Sequence, residues 1–206
     1  MVGLIASNPN GESRRFLPFP GWPFALRRPS FAGMRVLAIS GSLRTASTNT
    51  AVLEAAALVA PPGMVVEFYR ELGILPHFNP DLDGSPPPPA HALRAAVGSA
   101  GALLLSTPEY AHGLPGSFKN ALDWLVGSTE FPGKPVAVIN LSARSTFAAA
   151  SLNEILRTMS ARLVEPASIT LELPRRTADA AALAADPRLG SALRAALHAL
   201  AAAASP

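Results

Sequence analysis

The chain contains no cysteine. That excludes disulfides, thiolate metal sites, iron–sulfur clusters and a cysteine nucleophile, and it suits a reducing, cytoplasmic setting. Histidine is scarce, and His77, His91, His112 and His198 stand at no metal-ligand spacing, so no metal centre is expected. No apolar run reaches the roughly 18 residues of a membrane span. The alanine-rich stretch 195–204 is too short and carries His198. A nucleophile elbow of the Gly-x-Ser-x-Gly kind is also missing, because neither Ile39-Ser40-Gly41-Ser42 nor Leu114-Pro115-Gly116-Ser117 fits it. That counts against a hydrolase.

Charge is sparse, with 15% charged residues and a net charge of +3, and it is unevenly placed. Residues 1–33 hold Arg14, Arg15, Arg27 and Arg28 against Glu12 alone, which leaves 13 basic and 13 acidic residues beyond them. A nucleic-acid surface needs basic residues clustered on the folded part, and none is clustered there. The same first 33 residues carry five prolines and aromatic residues without helical or strand period. The sequence therefore divides into an irregular extension, 1–33, and one domain, 34–206. Met34 offers an alternative start. A second reading makes the extension an arm that packs on a partner subunit through Trp22 and Phe24.

From Met34 the pattern alternates. Short apolar runs at 35–40, 64–69, 102–106, 135–140 and 167–171 read as strands. Alanine- and leucine-rich segments at 49–58, 90–97, 114–126 and 147–159 read as helices, with one or two more over 178–204 broken near Asp186-Pro187. Pro86 to Pro89 reads as a plain surface loop or a stiff spacer. Central strands that are apolar throughout, rather than alternating, mark a parallel sheet covered on both faces. Five such units predict a doubly wound α/β domain.

In such folds, ligands bind beyond the carboxyl ends of the strands. The first of these loops, Gly41-Ser42-Leu43-Arg44-Thr45-Ala46-Ser47-Thr48-Asn49-Thr50, concentrates hydroxyls and one arginine ahead of a helix. Free N–H groups and the positive dipole end there suit a single phosphate. An ordinary capped helix, with Ser47 or Thr48 as N-cap, explains the same residues. The glycine and lysine of a P-loop are absent. After the third strand, 107–116 is a loop stiffened by two prolines, and it could present backbone groups to a flat heterocycle beside Tyr110 and His112. His112 is read either as a solvated loop residue or as a group at that heterocycle's face. Lys119, Asn120 and Asp123 read as groups holding loop to helix, with direct catalysis as the alternative, and Trp124 reads as core or interface rather than a ligand platform. Ser142 sits in a third polar loop at the same sheet end.

Two motifs together resemble the NADPH-dependent FMN reductase family. Gly41, Ser42, Leu43, Arg44, Ser47 and Asn49 match the first at every fixed position. Pro108, Glu109, Tyr110, Pro115, Gly116, Lys119, Asn120, Ala121, Asp123 and Trp124 match the second; Ala111 stands where the family usually has asparagine. The resemblance covers about residues 34–200. It implies a flavodoxin-like five-stranded sheet of order 2-1-3-4-5, and FMN as cofactor. Hydride would pass from NADPH, or alternatively NADH, to flavin N5 and on to a flavin, quinone, azo or metal-oxyanion acceptor. Ser42, Arg44, Ser47, Thr48 and Asn49 would hold the FMN phosphate. Pro108, Glu109, Tyr110 and Ala111 would line the flavin ring, with Ser142 completing that site. The resemblance further implies a homodimer or homotetramer. No catalytic side chain is needed, since the cofactor carries the chemistry. The competing reading is a flavodoxin-type carrier without NAD(P)H activity, which the neutral domain disfavours because such carriers are usually acidic.

Overall fold

The computed structural model describes residues 33–173, 177 and 179–204. Both readings of the N-terminal extension therefore lie outside the described residues. Twelve regular elements follow in order. They are β1 (Met34–Ser40), α1 (Thr48–Leu58), β2 (Met64–Tyr69), α2 (Pro88–Ser99), β3 (Ala102–Ser106), α3 (Gly116–Val126), β4 (Pro135–Asn140), α4 (Thr146–Thr158), β5 (Arg162–Leu163), β6 (Ile169–Thr170), α5 (Ala180–Ala185) and α6 (Pro187–Ala204). The sheet is parallel, with the order β2-β1-β3-β4-β5, and β6 also pairs with β4. This is the flavodoxin-like order.

Every residue of β3 is buried, as expected for a central strand covered on both faces. Successive side chains point to opposite faces, and the two cores follow that alternation. Val36, Ala38, Leu104 and Ile139 pack with α1, α5 and α6 on one face. Leu37, Ile39, Leu103 and Leu105 pack with α2, α3 and α4 on the other.

Three boundaries differ from the sequence reading. The expected loop or spacer at Pro86–Pro89 is partly helix, because Pro88 and Pro89 open α2. Proline is tolerated in a first turn, where its missing N–H would have no partner in any case. Helix α3 begins at Gly116, with Pro115 as its N-cap rather than inside it. The expected fifth strand, 167–171, is shorter, Ile169–Thr170, and a further two-residue strand precedes it. Arg162–Leu163 pairs with the first half of β4 and Ile169–Thr170 with its end, around a 3-10 turn at Glu165–Ala167. Pro166 lies in that turn and has no N–H to give a ladder, so a continuous strand cannot form through it.

At the end of β2 the ring of Tyr69 packs against the second core, but its hydroxyl is shielded from solvent and has no hydrogen-bond partner among the described residues. Burial, helped by the Glu71 carboxylate, pushes its pKa up to about 12. The raised value means that the fold holds the proton. That contribution is complete below the ordinary tyrosine pKa of about 10 and is lost as pH rises from there through about 12. Tyr69→Phe removes an orphaned polar atom and is expected to raise stability by about 1 kcal/mol at neutral pH. It should also flatten the alkaline limb. Urea unfolding at pH 7 and pH 11 checks both; a loss of stability at pH 7 would show that the hydroxyl has a partner.

Candidate functional site

Three loops leave the sheet at the carboxyl ends of β1, β3 and β4 and meet around one cleft of about 330 Å³. That lies within the roughly 300–1,000 Å³ of small-molecule sites. Their close approach depends on Gly41. A Cβ there would lie 2.7 Å from the Thr107 Cβ and 3.1 Å from the Phe118 ring, so no larger residue fits without displacing the second loop. The Gly41 N–H also donates to the Ser106 carbonyl at 2.8 Å, tying the first loop to β3.

Nine of the ten residues singled out in the sequence line this cleft: Ser42, Arg44, Ser47, Thr48, Asn49, Pro108, Glu109, Tyr110 and Ser142. Ala111 does not. Thr107, Asn140, Leu141, Ser145 and Leu173 also line it. Asn140 is the last residue of a strand, a position that pattern reading treats as sheet. Leu173 follows β6 and carries no local signal, so only folding brings it near.

The first loop is organised by hydroxyls. Ser47 is buried and caps α1, its side chain accepting from the Thr50 N–H at 3.2 Å. The N–H groups of Thr48 and Asn49 have no intrahelical acceptor, as for any first turn, and no acidic residue occupies that turn. Ser42 accepts from the Arg44 N–H at 3.4 Å. The Ser40 hydroxyl accepts from the Ser42 N–H at 3.3 Å and from the Thr50 hydroxyl at 2.9 Å. Arg44 is exposed and forms no ion pair among the described residues. Asn49 is turned inward, with its amide oxygen 2.9 Å from the Ser106 hydroxyl, which also lies 2.8 Å from the Ile139 carbonyl. One buried side chain thus joins α1, β3 and β4 beneath the cleft.

The second loop forms a two-residue hairpin. Tyr110 and Gly113 exchange both backbone hydrogen bonds, at 3.0 and 2.9 Å. Ala111 and His112 between them adopt φ of 47° and 61°. This is the left-handed turn that asparagine and glycine favour. The asparagine usual in the family motif at position 111 is therefore explained by backbone conformation, and Ala111 stands at the tip, exposed and outside the cleft. Ala111→Asn is expected to stabilise the fold by about 0.5–1 kcal/mol by relieving that strain. A thermal-unfolding midpoint that does not rise would show the strain to be absent.

In the third loop, the Asn140 amide donates to the Ser142 carbonyl at 2.9 Å, and the Ser142 hydroxyl accepts from the Arg144 N–H at 3.1 Å. These bonds shape the rim without using up Arg144. The rest of the second motif holds structure. Lys119 and Asp123 form an ion pair along α3. Asn120 accepts from the Phe78 N–H at 2.8 Å and donates to the Pro76 carbonyl at 2.9 Å. Trp124 is fully buried. Asn120 and Trp124 clamp the 76–78 loop to α3, and none of the four lines the cleft.

A profile of the NADPH-dependent FMN reductase family matches residues 34–172. The chain belongs to this family. It is 43% identical over 113 residues to an NAD(P)H-dependent FMN reductase of Pseudomonas aeruginosa, covering 53% of this chain and 60% of that protein. It is 37% identical over 112 residues to a 2-hydroxy-1,4-benzoquinone reductase of a Burkholderia species, covering 53% of this chain and 61% of that protein. The chain thus aligns with about three fifths of the length of these curated relatives. Among solved structures it is similar to the flavoenzyme NAD(P)H:(acceptor) oxidoreductase FerB of Paracoccus denitrificans. The TM-score is 0.66 at 27% identity, with 83% of this chain and 97% of that one covered. All of the motif residues fall inside the matched region.

Proposed function

We propose that this protein is an FMN-dependent NAD(P)H oxidoreductase that reduces a small flavin, quinone, azo or metal-oxyanion acceptor. The observation that carries the reading is the cleft itself. One end offers hydroxyls, an arginine without an ion pair among the described residues and two first-turn helix N–H groups; the other offers Pro108, Tyr110, Leu141 and Leu173. That donor set suits an anion at one end and a flat, partly apolar ring at the other, which is the make-up of FMN.

Ser42, Arg44, Ser47, Thr48 and the first turn of α1 would hold the phosphate. Arg44 can pair two of its oxygens at once. Asn49 keeps that turn in register with β3. Pro108, Glu109 and Tyr110 would form one wall of the ring site, and Ser142 would lie across from them. When bound, FMN would supply the hydride acceptance and electron transfer that no side chain of the cleft provides. The protein contributes position, shielding and the fixed dipoles around the ring. NADPH is the favoured donor, with NADH as the alternative.

A homodimer or homotetramer in the cytoplasm is part of the same reading. Leu43, Ile74, Leu82 and Val126 are large, apolar and exposed. Leu43 lies beside Gly73, the neighbour of Ile74 in sequence, and Asp83, the neighbour of Leu82, lies beside Gly127, the neighbour of Val126. An exposed apolar group of that kind favours association. Among the described residues, no helix is long and apolar enough to cross a membrane.

The test is an absorbance spectrum of the purified protein, repeated with added FMN and then anaerobically with NADPH. Flavin bands that bleach on NADPH addition support the reading. Bands that neither NADPH nor NADH bleaches favour an electron carrier. Absence of FMN binding overturns the cofactor assignment.

A further inference from the structure

The cleft has two walls that the sheet joins only weakly. The paired register of β3 and β4 ends at Leu105 and Val138. Beyond it, 107–113 and 141–145 leave the sheet as separate loops, the second running into α4. Two direct ties reconnect them. The Glu109 carboxylate accepts from the Ala148 N–H at 2.9 Å. The His112 ring stacks on Phe147, with centroids 4.2 Å apart and planes 23° from parallel.

Both ties land on the first turn of α4, on consecutive residues. That turn lacks a cap of its own, because Ser145 at the N-cap makes no side-chain hydrogen bond and no acid lies in the first turn. Glu109 supplies the missing acceptor, and a negative charge at the positive end of the helix, from a neighbouring loop. The α4 N-terminus is therefore already engaged by a carboxylate, unlike that of α1. The hairpin geometry at Ala111 and His112, uncommon for alanine and better tolerated by histidine, accompanies the contact of imidazole with Phe147.

We propose that Glu109 is a positioning residue: it caps α4 from the second loop and, with the His112–Phe147 stack, sets the separation of the two walls that must receive a flat ring. This rests on the flavin reading and gives Glu109 a part in it that the family motif alone does not. The carboxylate acts through α4, not on the reacting atoms.

Riboflavin and FMN affinities separate the wall from the phosphate end, since riboflavin has the ring and no phosphate. Glu109→Ala is expected to weaken both by a similar factor, about ten-fold, the size of a lost cap. Glu109→Gln keeps an acceptor oxygen and is expected to stay within about three-fold of the parent. Hydrogen exchange at the Ala148 amide gives a readout without any flavin. It should be slow in the parent and in Glu109→Gln, and fast in Glu109→Ala. Parental riboflavin affinity in Glu109→Ala, or no rescue by glutamine, overturns the proposal. If the parent itself binds neither flavin, the flavin reading fails by itself, and equal Ala148 exchange in all three proteins then overturns the clasp as well.

Discussion

Arg44→Ala is expected to weaken FMN binding by about 1.5–3 kcal/mol, or roughly 10- to 150-fold, the range for a hydrogen bond to a charged group. Arg44 lines the cleft. It makes no ion pair among the described residues, so its guanidinium is free to meet an anion. Riboflavin affinity should be unchanged, because the missing phosphate removes the group that Arg44 would hold. Flavin fluorescence titration measures both constants. Equal losses for the two flavins would place Arg44 at the ring instead, and no loss for FMN would remove it from the site. High salt should narrow the difference, since the contact lies at the surface.

Trp124→Ala is expected to cost about 3–5 kcal/mol of stability, the usual range for truncating a buried aromatic. The side chain is fully buried in the core beneath α3. Its ring meets Phe78 edge-on, with centroids 5.1 Å apart, and its indole N–H donates to the Pro76 carbonyl at 2.8 Å. The Trp124 carbonyl accepts from Arg94 at 2.9 Å, and Arg94 in turn pairs with Asp83. The substitution therefore opens a cavity and removes the side-chain ties to Pro76 and Phe78, while the backbone carbonyl that Arg94 meets is kept. Urea unfolding at neutral pH gives the loss; a value under about 1 kcal/mol would contradict a close-packed site. Trp124→Phe keeps most of the ring and drops the N–H, so a smaller loss of about 1–2 kcal/mol isolates the hydrogen bond and the residual gap.

The contrast between these residues shows why motif membership does not equal site membership. Arg44 and Trp124 both belong to matched motifs. One lines the cleft and the other lies in the core, where with Asn120 it holds the 76–78 loop. A spacing pattern carries both kinds of residue alike, because both are tied to the same helix register.

Strands β1 to β4 were legible in the sequence because each is a short apolar run flanked by turn residues, and unbroken apolar runs imply a sheet buried on two faces. The first loop was legible for a similar local reason: hydroxyls, one arginine and a helix start are all set by neighbours in sequence. The further strand at Arg162–Leu163 was not, since two-residue pairings on either side of Pro166 leave no periodic trace. Nor were Leu173 in the cleft, the inward turn of Asn49 onto Ser106, or the reach of Glu109 to the Ala148 amide. Leu173 lies 64 residues from Glu109 and 33 from Asn140, and the two hydrogen bonds span 57 and 39 residues. Local chemistry thus determined the elements and the phosphate-like loop, because capping, turn preference and strand burial act within a few residues. Only tertiary structure decided which polar groups face the cleft and which hold its walls together, because a hydroxyl, amide or carboxylate takes whichever partner the folded sheet brings within about 3 Å.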